Sequence, residues 1–123
     1  MPIGILSING NKAMNYLIQT VLSKHYKVHC FPSALLAVRE LEVKKEIEAV
    51  IIDLDYNLDA NLEFMRYTEN SSLFSRPFIV LSSDEGLKNL IPEGIVFDFI
   101  IKPFNPVNLT KRISLLISNP LLA

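Results

Sequence analysis

The sequence predicts a doubly wound α/β domain with a five-stranded parallel sheet, and three observations lead to that prediction. First, a chain of 123 residues, 50% of them hydrophobic, is long enough to bury a core. Second, strand-sized apolar runs rich in β-branched and aromatic residues recur along it. Third, the segments between these runs carry apolar residues at helical spacing. The runs span residues 3–8, 27–31, 49–52, 78–81 and 97–101.

Two helices are well marked in the first half of the chain. Apolar residues three and four positions apart form one stripe in each helix, so each helix would bury one face. Ser33 is placed to cap the second helix, whose charged residues are expected on a solvated face. The first stripe is Met14, Leu17, Ile18, Val21 and Leu22; the second is Ala34, Ala37, Val38 and Leu41; the solvated residues are Arg39, Glu40, Glu42, Lys44 and Lys45.

The second half of the chain predicts three more helical segments. A third helix would bury Leu62 and Met65, and residues 84–90 leave room for only a short fourth. Asn105 as N-cap and Pro106 at the first helical position mark the start of the last helix. Its inward residues would be Leu109, Ile113, Leu116 and Ile117, and Asn119-Pro120 would end it.

Strand and helix thus alternate along the chain without a long linker, a low-complexity tract or an internal repeat. Such alternation is typical of a single domain, here residues 1–123, with parallel strands and helices on both faces of the sheet. In sheets of this kind, functional groups gather beyond the carboxyl ends of the strands. We therefore expect the functional residues at those ends.

Composition argues against several classes of function. The 12 Lys and Arg residues against 13 Asp and Glu give a net charge of −1, which provides no overall attraction to nucleic acid or to an acidic membrane. No apolar run reaches the roughly 18 to 20 residues that cross a bilayer, and no signal-peptide pattern opens the chain. We therefore expect a cytoplasmic protein. The single cysteine, Cys30, suits a reducing compartment and is expected to be a buried strand residue rather than a nucleophile.

Three chemically reactive side chains end or follow three of the predicted strands. Asp53 follows the third apolar run, Ser82 the fourth and Lys102 the fifth, so all three should meet at one edge of the sheet. A carboxylate that emerges from an apolar run requires a cation or strong hydrogen-bond donors, and Lys102 is the obvious cation. On spacing alone, a structural ion pair with Ser82 as a hydrogen-bonding bystander fits equally well.

The order of these motifs resembles the receiver domain of bacterial two-component response regulators over essentially the whole chain. The resemblance rests on Asp53, on Ser82 directly after an apolar strand, and on Lys102-Pro103-Phe104 after the fifth strand. It implies a flavodoxin-like sheet of order 2-1-3-4-5 and a cis Lys102–Pro103 bond. It also implies a non-enzymatic signalling protein that takes a phosphoryl group from a sensor histidine kinase. Asp53 would be the phosphoacceptor, Ser82 the switch hydroxyl and Lys102 the amine that binds the acyl phosphate.

The sequence departs from the family pattern where Mg²⁺ would bind. Family members carry two adjacent acidic residues after the first strand, whereas this chain has Asn9 and Gly10. Mg²⁺ prefers carboxylate oxygen, so a metal site that retains Asp53 is expected to be weak or absent. Asp55, two residues further on, is either a second carboxylate for that site or a solvent-facing loop acid.

Smaller departures affect the loop after Asp53 and the switch region. Asn57 and Asn61 stand where the family has proline and glycine, and asparagine is the best non-glycine residue for a left-handed backbone. Phe99 stands in place of an aromatic switch residue, often tyrosine, with a plain core role as the alternative.

A surface for self-association is also predicted. In receivers, the face of the fourth helix, the fifth strand and the last helix mediates dimerisation and output, so a homodimer of this chain would form there. Because soluble monomers rarely expose large apolar patches, an exposed patch on this face would mark a partner site; the alternative is that most of its apolar residues are core. The apolar candidates are Leu87, Leu90, Phe99, Phe104 and Val107.

Three functions remain open at this point. The first is a degenerate receiver that acts in two-component signalling through protein–protein interaction, with phosphorylation of Asp53 weak or lost. The second is a working phosphoacceptor that uses Asp53 and Asp55 to hold Mg²⁺. The third is another flavodoxin-like binder of a nucleotide or flavin. This function is disfavoured because the chain has only 4 glycines and no glycine-rich phosphate-binding motif.

Two further chemistries are disfavoured by spacing. Ser82 and Ser83 lack the G-x-S-x-G elbow of a hydrolase nucleophile. His25 and His29 are four positions apart on or beside a strand, where a surface or core role fits better than a metal site.

Overall fold

The computed structural model describes residues 3–44, 46–71 and 75–118. Lys45 and the predicted helix stop at Asn119-Pro120 lie outside the described residues. Strands and helices alternate in the predicted order, and the short fourth segment is a 3-10 helix. The strands are β1 Gly4–Ile8, β2 Lys27–Phe31, β3 Ile47–Asp53, β4 Phe78–Ser82 and β5 Phe97–Ile101. The helices are α1 Lys12–Leu22, α2 Ala34–Val43, α3 Leu58–Glu69, the 3-10 helix Glu85–Leu90 and α4 Pro106–Ser118.

The sheet has the predicted topology. Its five strands are parallel and lie in the order β2-β1-β3-β4-β5, which confirms the doubly wound, flavodoxin-like fold. Asp53 on β3 is in register with Leu81 on β4, and Ser82 is in register with Ile101 on β5. The carboxyl ends of β3, β4 and β5 therefore lie side by side.

Alternating side chains of the strands build two cores, one on each face of the sheet. On one face, Ile5, Ile51 and Leu81 pack with the buried residues of α1 and α4. On the other face, Ile52 and Val80 pack with the buried residues of α2 and α3. With both faces covered, the central strands are mostly apolar, with Ser7 in β1 and Glu48 near the start of β3 as exceptions before the strand ends.

The helices start at the predicted capping residues. Ser33 Oγ accepts a hydrogen bond from the Leu36 N–H at 3.4 Å, and Asn105 Oδ1 accepts one from the Val107 N–H at 2.9 Å. Such caps satisfy backbone donors that have no partner inside the helix. Within the described part of the chain, no helix is both long and apolar enough to cross a membrane.

Two positions on the helices differ from the prediction. Helical spacing predicts Leu17 in the buried stripe of α1, but it is 37% exposed, because the face that α1 buries is narrower than the apolar stripe. Glu40 is predicted on a solvated face, yet its side chain is only 23% exposed and its carboxylate lies 3.5 Å from His29 Nδ1. The second difference arises because α2 packs over β2, a neighbour that helical spacing alone does not identify.

The predicted interaction face is only partly exposed. Leu87 and Phe99 pack against the core under α2 and α3, and Phe104 packs against the core on the opposite face. Leu90 and Val107 are 48% and 59% exposed. Three of the five candidate residues thus pack against the cores, Leu87 of the 3-10 helix being only partly buried there.

Candidate functional site

The candidate site lies at the carboxyl edge of the sheet, where β3, β4 and β5 end. Asp53 is fully buried at the end of β3, and Lys102 Nζ contacts its Oδ2 directly. Ser82 is also buried, but its hydroxyl donates to Asp55 rather than to Asp53. The structure therefore brings the three predicted residues together and adds Asp55 as a fourth. Lys102 compensates part of the cost of burying the Asp53 carboxylate.

Both carboxylate oxygens of Asp53 accept hydrogen bonds. Asn9 Nδ2 donates to Oδ2 and the Asp55 backbone N–H donates to Oδ1, each at 2.9 Å. The orientation of the Asn9 amide is fixed, because its Oδ1 accepts from the Asn11 N–H at 2.8 Å and its nitrogen must then face Asp53. An amide donor thus stands where the family pattern has an acid.

Asp55 is the centre of a dense set of hydrogen bonds. Its Oδ1 accepts from Ser82 Oγ at 2.5 Å. Its Oδ2 accepts from the Ser83 N–H at 2.9 Å, from Ser83 Oγ at 3.0 Å and from Lys102 Nζ at 3.1 Å. Burial raises the pKa of Asp55, but the bonds from Ser82, Ser83 and Lys102 outweigh that effect and lower it to about 2. Asp55 is an exposed residue of the loop after β3, as the loop-acid alternative expects, but its carboxylate is hydrogen-bonded to Ser82, Ser83 and Lys102; a role as a metal ligand stays a prediction.

Lys102 bridges the two carboxylates. Its Nζ contacts Asp53 Oδ2 and Asp55 Oδ2, and its side chain is only 16% exposed. Burial lowers the pKa of Lys102, but its hydrogen bonds to Asp53 and Asp55 and the attraction of the two negative charges raise it overall. The Lys102–Pro103 bond is cis, as the resemblance implies. Lys102 therefore carries a positive charge between two negative ones.

Tyr56 covers one side of the site and was missed by the sequence reasoning. Lys102 Nζ lies 5.4 Å from the centre of the Tyr56 ring, within the range of a cation–π contact. A β-carbon placed on Gly10 would lie 3.0 Å from Tyr56 Cβ, so a side chain at position 10 would require Tyr56 to move by a few tenths of an ångström. Asn11 Nδ2 donates to Tyr56 Oη at 3.1 Å. Apart from its being aromatic, nothing in the local sequence signals this role.

The loop after Asp53 has one of its two asparagines in the predicted conformation. Asn57 has φ 51° and ψ 51°, which is left-handed backbone. The same conformation was expected for Asn61, but that residue lies inside α3. The Asn61 amide donates to the carbonyl oxygens of Asp53 and Tyr56 at 2.9 and 2.8 Å. The prediction for Asn61 was wrong because its side chain, rather than its backbone, fixes the loop.

Phe99 has the core role that the sequence left open as the alternative to a switch role. It packs against the core under α2 and α3, and Lys88 Nζ lies 6.0 Å from the centre of its ring. No contact described by the structure joins Phe99 to the Asp53 cluster. Its core role is therefore observed, whereas a switch role stays a prediction.

The histidines and the cysteine lie away from this cluster. His29 Nδ1 and Nε2 lie 3.5 and 3.6 Å from carboxylate oxygens of Glu40 and Glu46. Cys30 is half-buried, and burial raises the pKa of its thiol, so a reactive thiolate is disfavoured. In the described ranges, no three His, Cys, Asp or Glu side chains are grouped so as to hold a metal ion.

Solved structures similar to this one include response regulator receiver domains. A response regulator from Thermotoga maritima is 20% identical, with a TM-score of 0.81 over 97% of this chain and 100% of its own. The signal receiver domain of an HD domain-containing protein from Pseudomonas fluorescens is also 20% identical, with a TM-score of 0.82 over 100% of both chains. The chemotaxis response regulator CheY4 of Vibrio cholerae is 18% identical, with a TM-score of 0.77 over 93% of this chain and 98% of its own.

Comparisons of the sequence itself with family models and with curated proteins add no relative. No model of a protein family matches it, and no curated protein matches it. At identities of 18 to 20%, the likeness to the solved structures shows the fold that this chain shares with receiver domains. Fold does not fix function, so the function has to be argued from the site.

Proposed function

We propose that this chain is a signalling domain of the receiver class that acts by binding a partner protein, with phosphorylation of Asp53 weak or absent. The observation that supports this most is the state of the Asp53 oxygens. Oδ1 accepts from the Asp55 N–H, and Oδ2 is shared by Asn9 and Lys102. A carboxylate attacks a phosphoryl group through an available lone pair, and three of the roughly four lone-pair sites of Asp53 already accept from a donor.

The donor set at this edge argues against Mg²⁺. The ion requires near-octahedral oxygen coordination and usually takes one or two carboxylates. Asn9 presents its nitrogen to Asp53 and directs its side-chain oxygen to the Asn11 N–H. Gly10 offers no side chain, and Tyr56 packs against it. Because Lys102 already offsets one of the two negative charges of Asp53 and Asp55 and occupies an oxygen of each, the residues present do not fit the metal.

A working phosphoacceptor is the second candidate, and one observation favours it. Asp53 is buried at the end of a central strand with Lys102 in direct contact, and a cation at that place would also stabilise negative charge on a transferred phosphoryl group. The ammonium group already lies between two carboxylates, however, so only part of its charge is available. The two candidates differ in whether function requires the Asp53 carboxylate.

The surface available to a partner lies at the edge of the sheet formed by β5 and on α4. Ile101 is 45% exposed on β5 and Val107 is 59% exposed on α4. Beside Ile101 is a hollow of about 370 Å³ that Phe104 and Arg112 also line. Arg112 is fixed there by hydrogen bonds to Asp98 at 2.7 and 2.5 Å. Apolar side chains beside a fixed charge are typical of protein interfaces, and the partner would be a sensor kinase, another signalling protein or a second copy of this chain.

Self-association tests this proposal even while the partner protein is unidentified. Analytical ultracentrifugation of Ile101→Asp and Val107→Asp should show a dimer weakened by at least about tenfold, equivalent to ~1.4 kcal/mol. Leu35→Asp is the matched control, because Leu35 is 83% exposed on α2, away from this face. Asp53→Asn should leave the association unchanged. If Asp53→Asn abolishes it while the surface variants do not, the phosphoacceptor function replaces the proposed one.

A further inference from the structure

Hydrogen-bond donors from two strand ends converge on a single anion in this site. Ser82 Oγ, the Ser83 N–H, Ser83 Oγ and Lys102 Nζ all donate to the carboxylate of Asp55, over 2.5 to 3.1 Å. The donors belong to the end of β4 and to the residue after β5, whereas Asp55 follows β3. Donors positioned at the ends of β4 and β5 thus surround the carboxylate of Asp55, which belongs to the loop after β3.

Three of the four donors are held in place independently of Asp55. Ser82 is fully buried, and its Oγ accepts a hydrogen bond from the Asp84 N–H at 2.9 Å; its own proton lies within reach of Asp55 Oδ1 at 2.5 Å and, at the longer distance of 3.3 Å, of the Asp84 carbonyl oxygen. The Ser83 N–H is part of the backbone directly after β4, and Lys102 is also held by Asp53. Such a preorganised set of donors, including a cation and a backbone amide, is an anion-binding site in its own right.

We propose that the ends of β4 and β5 form a binding pocket for a carboxylate-sized anion, and that the chain fills this pocket itself with the side chain of Asp55. The same donors would have to serve the oxygens of any group attached to Asp53. With Asp55 seated among them, the pocket is occupied before such a group arrives. Asp55 is therefore an internal ligand of the pocket.

The charges agree with this assignment. Asp53 and Asp55 supply two negative charges and Lys102 one positive charge, so a further anion entering the intact pocket would be repelled. Removing the Asp55 carboxylate leaves Asp53 and Lys102 balanced and frees at least three donors. The pocket should then accept a small monovalent anion of the same chemistry, such as formate.

The inference deepens the proposed function and rests on it for its biological meaning. Its test involves no partner protein, so the inference and the proposed function can be refuted separately. We would titrate sodium formate into the full chain carrying Asp55→Ala and follow the Ser83 amide proton by NMR. In the substituted protein that resonance should move upfield, because the amide loses a charged acceptor. Formate should return it towards the original position in a saturable manner, with sodium chloride as the control for ionic strength.

Two further proteins make the result decisive. The unsubstituted chain and Asp59→Ala, which removes an exposed acid from the first turn of α3, should bind formate at least about tenfold more weakly. If Asp55→Ala does not fold, Asp55→Ser is titrated with the same expected result. The proposal is overturned if formate leaves the Ser83 amide of the folded variant unmoved, or if it shifts that amide equally in the unsubstituted chain.

Discussion

Asp53 and Asp55 are identical side chains two positions apart, yet their surroundings give them different chemistry. Asp53 ends a buried strand, and its oxygens meet an amide, a backbone N–H and an ammonium group. Asp55 lies beyond the strand and receives two serine hydroxyls, a backbone N–H and the same ammonium group. Bonds of this kind to a charged acceptor are among the stronger ones in proteins. The carboxylate that the family pattern does not use is thus the more strongly hydrogen-bonded of the two.

The lowered pKa of Asp55 predicts a pH-dependent contribution to stability. Its pKa is about 2 in the folded protein and about 3.9 in an unfolded chain, so folding favours the ionised form. The stabilisation is present above about pH 4 and is lost as the pH falls towards about 2. Urea unfolding at several pH values should show the protein more stable than Asp55→Asn at neutral pH, with the gap closing below about pH 4. A gap that stays constant down to pH 2 would contradict the hydrogen bonds assigned to Asp55.

A second prediction at the residue scale concerns Mg²⁺. Calorimetry should detect no saturable Mg²⁺ binding to the unsubstituted chain at millimolar concentration, because Asn9 donates to the carboxylate that would have to bind the ion. Asn9→Asp with Gly10→Asp should create a site. Since a side chain on Gly10 would meet Tyr56, we would combine both changes with Tyr56→Ala and use Tyr56→Ala alone as the control. Equal binding by the unsubstituted chain and the triple variant would make Asp55 a metal ligand.

At the scale of elements, the connection between β3 and α3 sets the geometry of the site. Asn57→Ala should destabilise the protein by about 1 kcal/mol, since alanine is disfavoured in left-handed backbone, and Asn57→Gly should be close to neutral. Asn61→Ala should cost about 1 to 3 kcal/mol, because it removes the amide donor from the buried carbonyl oxygen of Asp53 and from the part-buried one of Tyr56. Urea unfolding of the three variants checks both values. If Asn61→Ala proved neutral, the amide would not be fixing this loop.

The elements themselves could be predicted because their signals are local. Apolar runs mark the strands, and Ser33 and Asn105 mark two helix starts within a few residues of the apolar stripes that follow. The position of Tyr56 could not be predicted, because its contacts are with Gly10 and Asn11, about 45 positions away in the sequence. The role of Asn61 could not be predicted for a related reason. The positions of its two acceptors, the carbonyl oxygens of Asp53 and Tyr56, depend on the path of the loop.

At the scale of the whole molecule, the parallel sheet brings distant residues to one edge. Its topology makes the meeting of Asp53, Ser82 and Lys102 predictable from the sequence, because all three end or follow neighbouring strands. Which donor binds which carboxylate was not predictable, since topology places the strand ends side by side but does not fix the direction in which the Ser82 hydroxyl donates. The fold thus supplies this edge, and we expect the residues at positions 9, 10 and 55 to decide how it is used.

Intact-mass measurement after incubation with acetyl phosphate and Mg²⁺ tests the central claim most directly. The claim is that Asp53 does not take up a phosphoryl group readily. Its carboxylate already binds Asn9 and Lys102, and Asp55 also binds Lys102. The unsubstituted chain should therefore keep its mass, as Asp53→Asn does under the same conditions. A chain that gains one phosphoryl group, in an adduct that Asp53→Asn fails to form, would contradict the claim and establish Asp53 as a working phosphoacceptor.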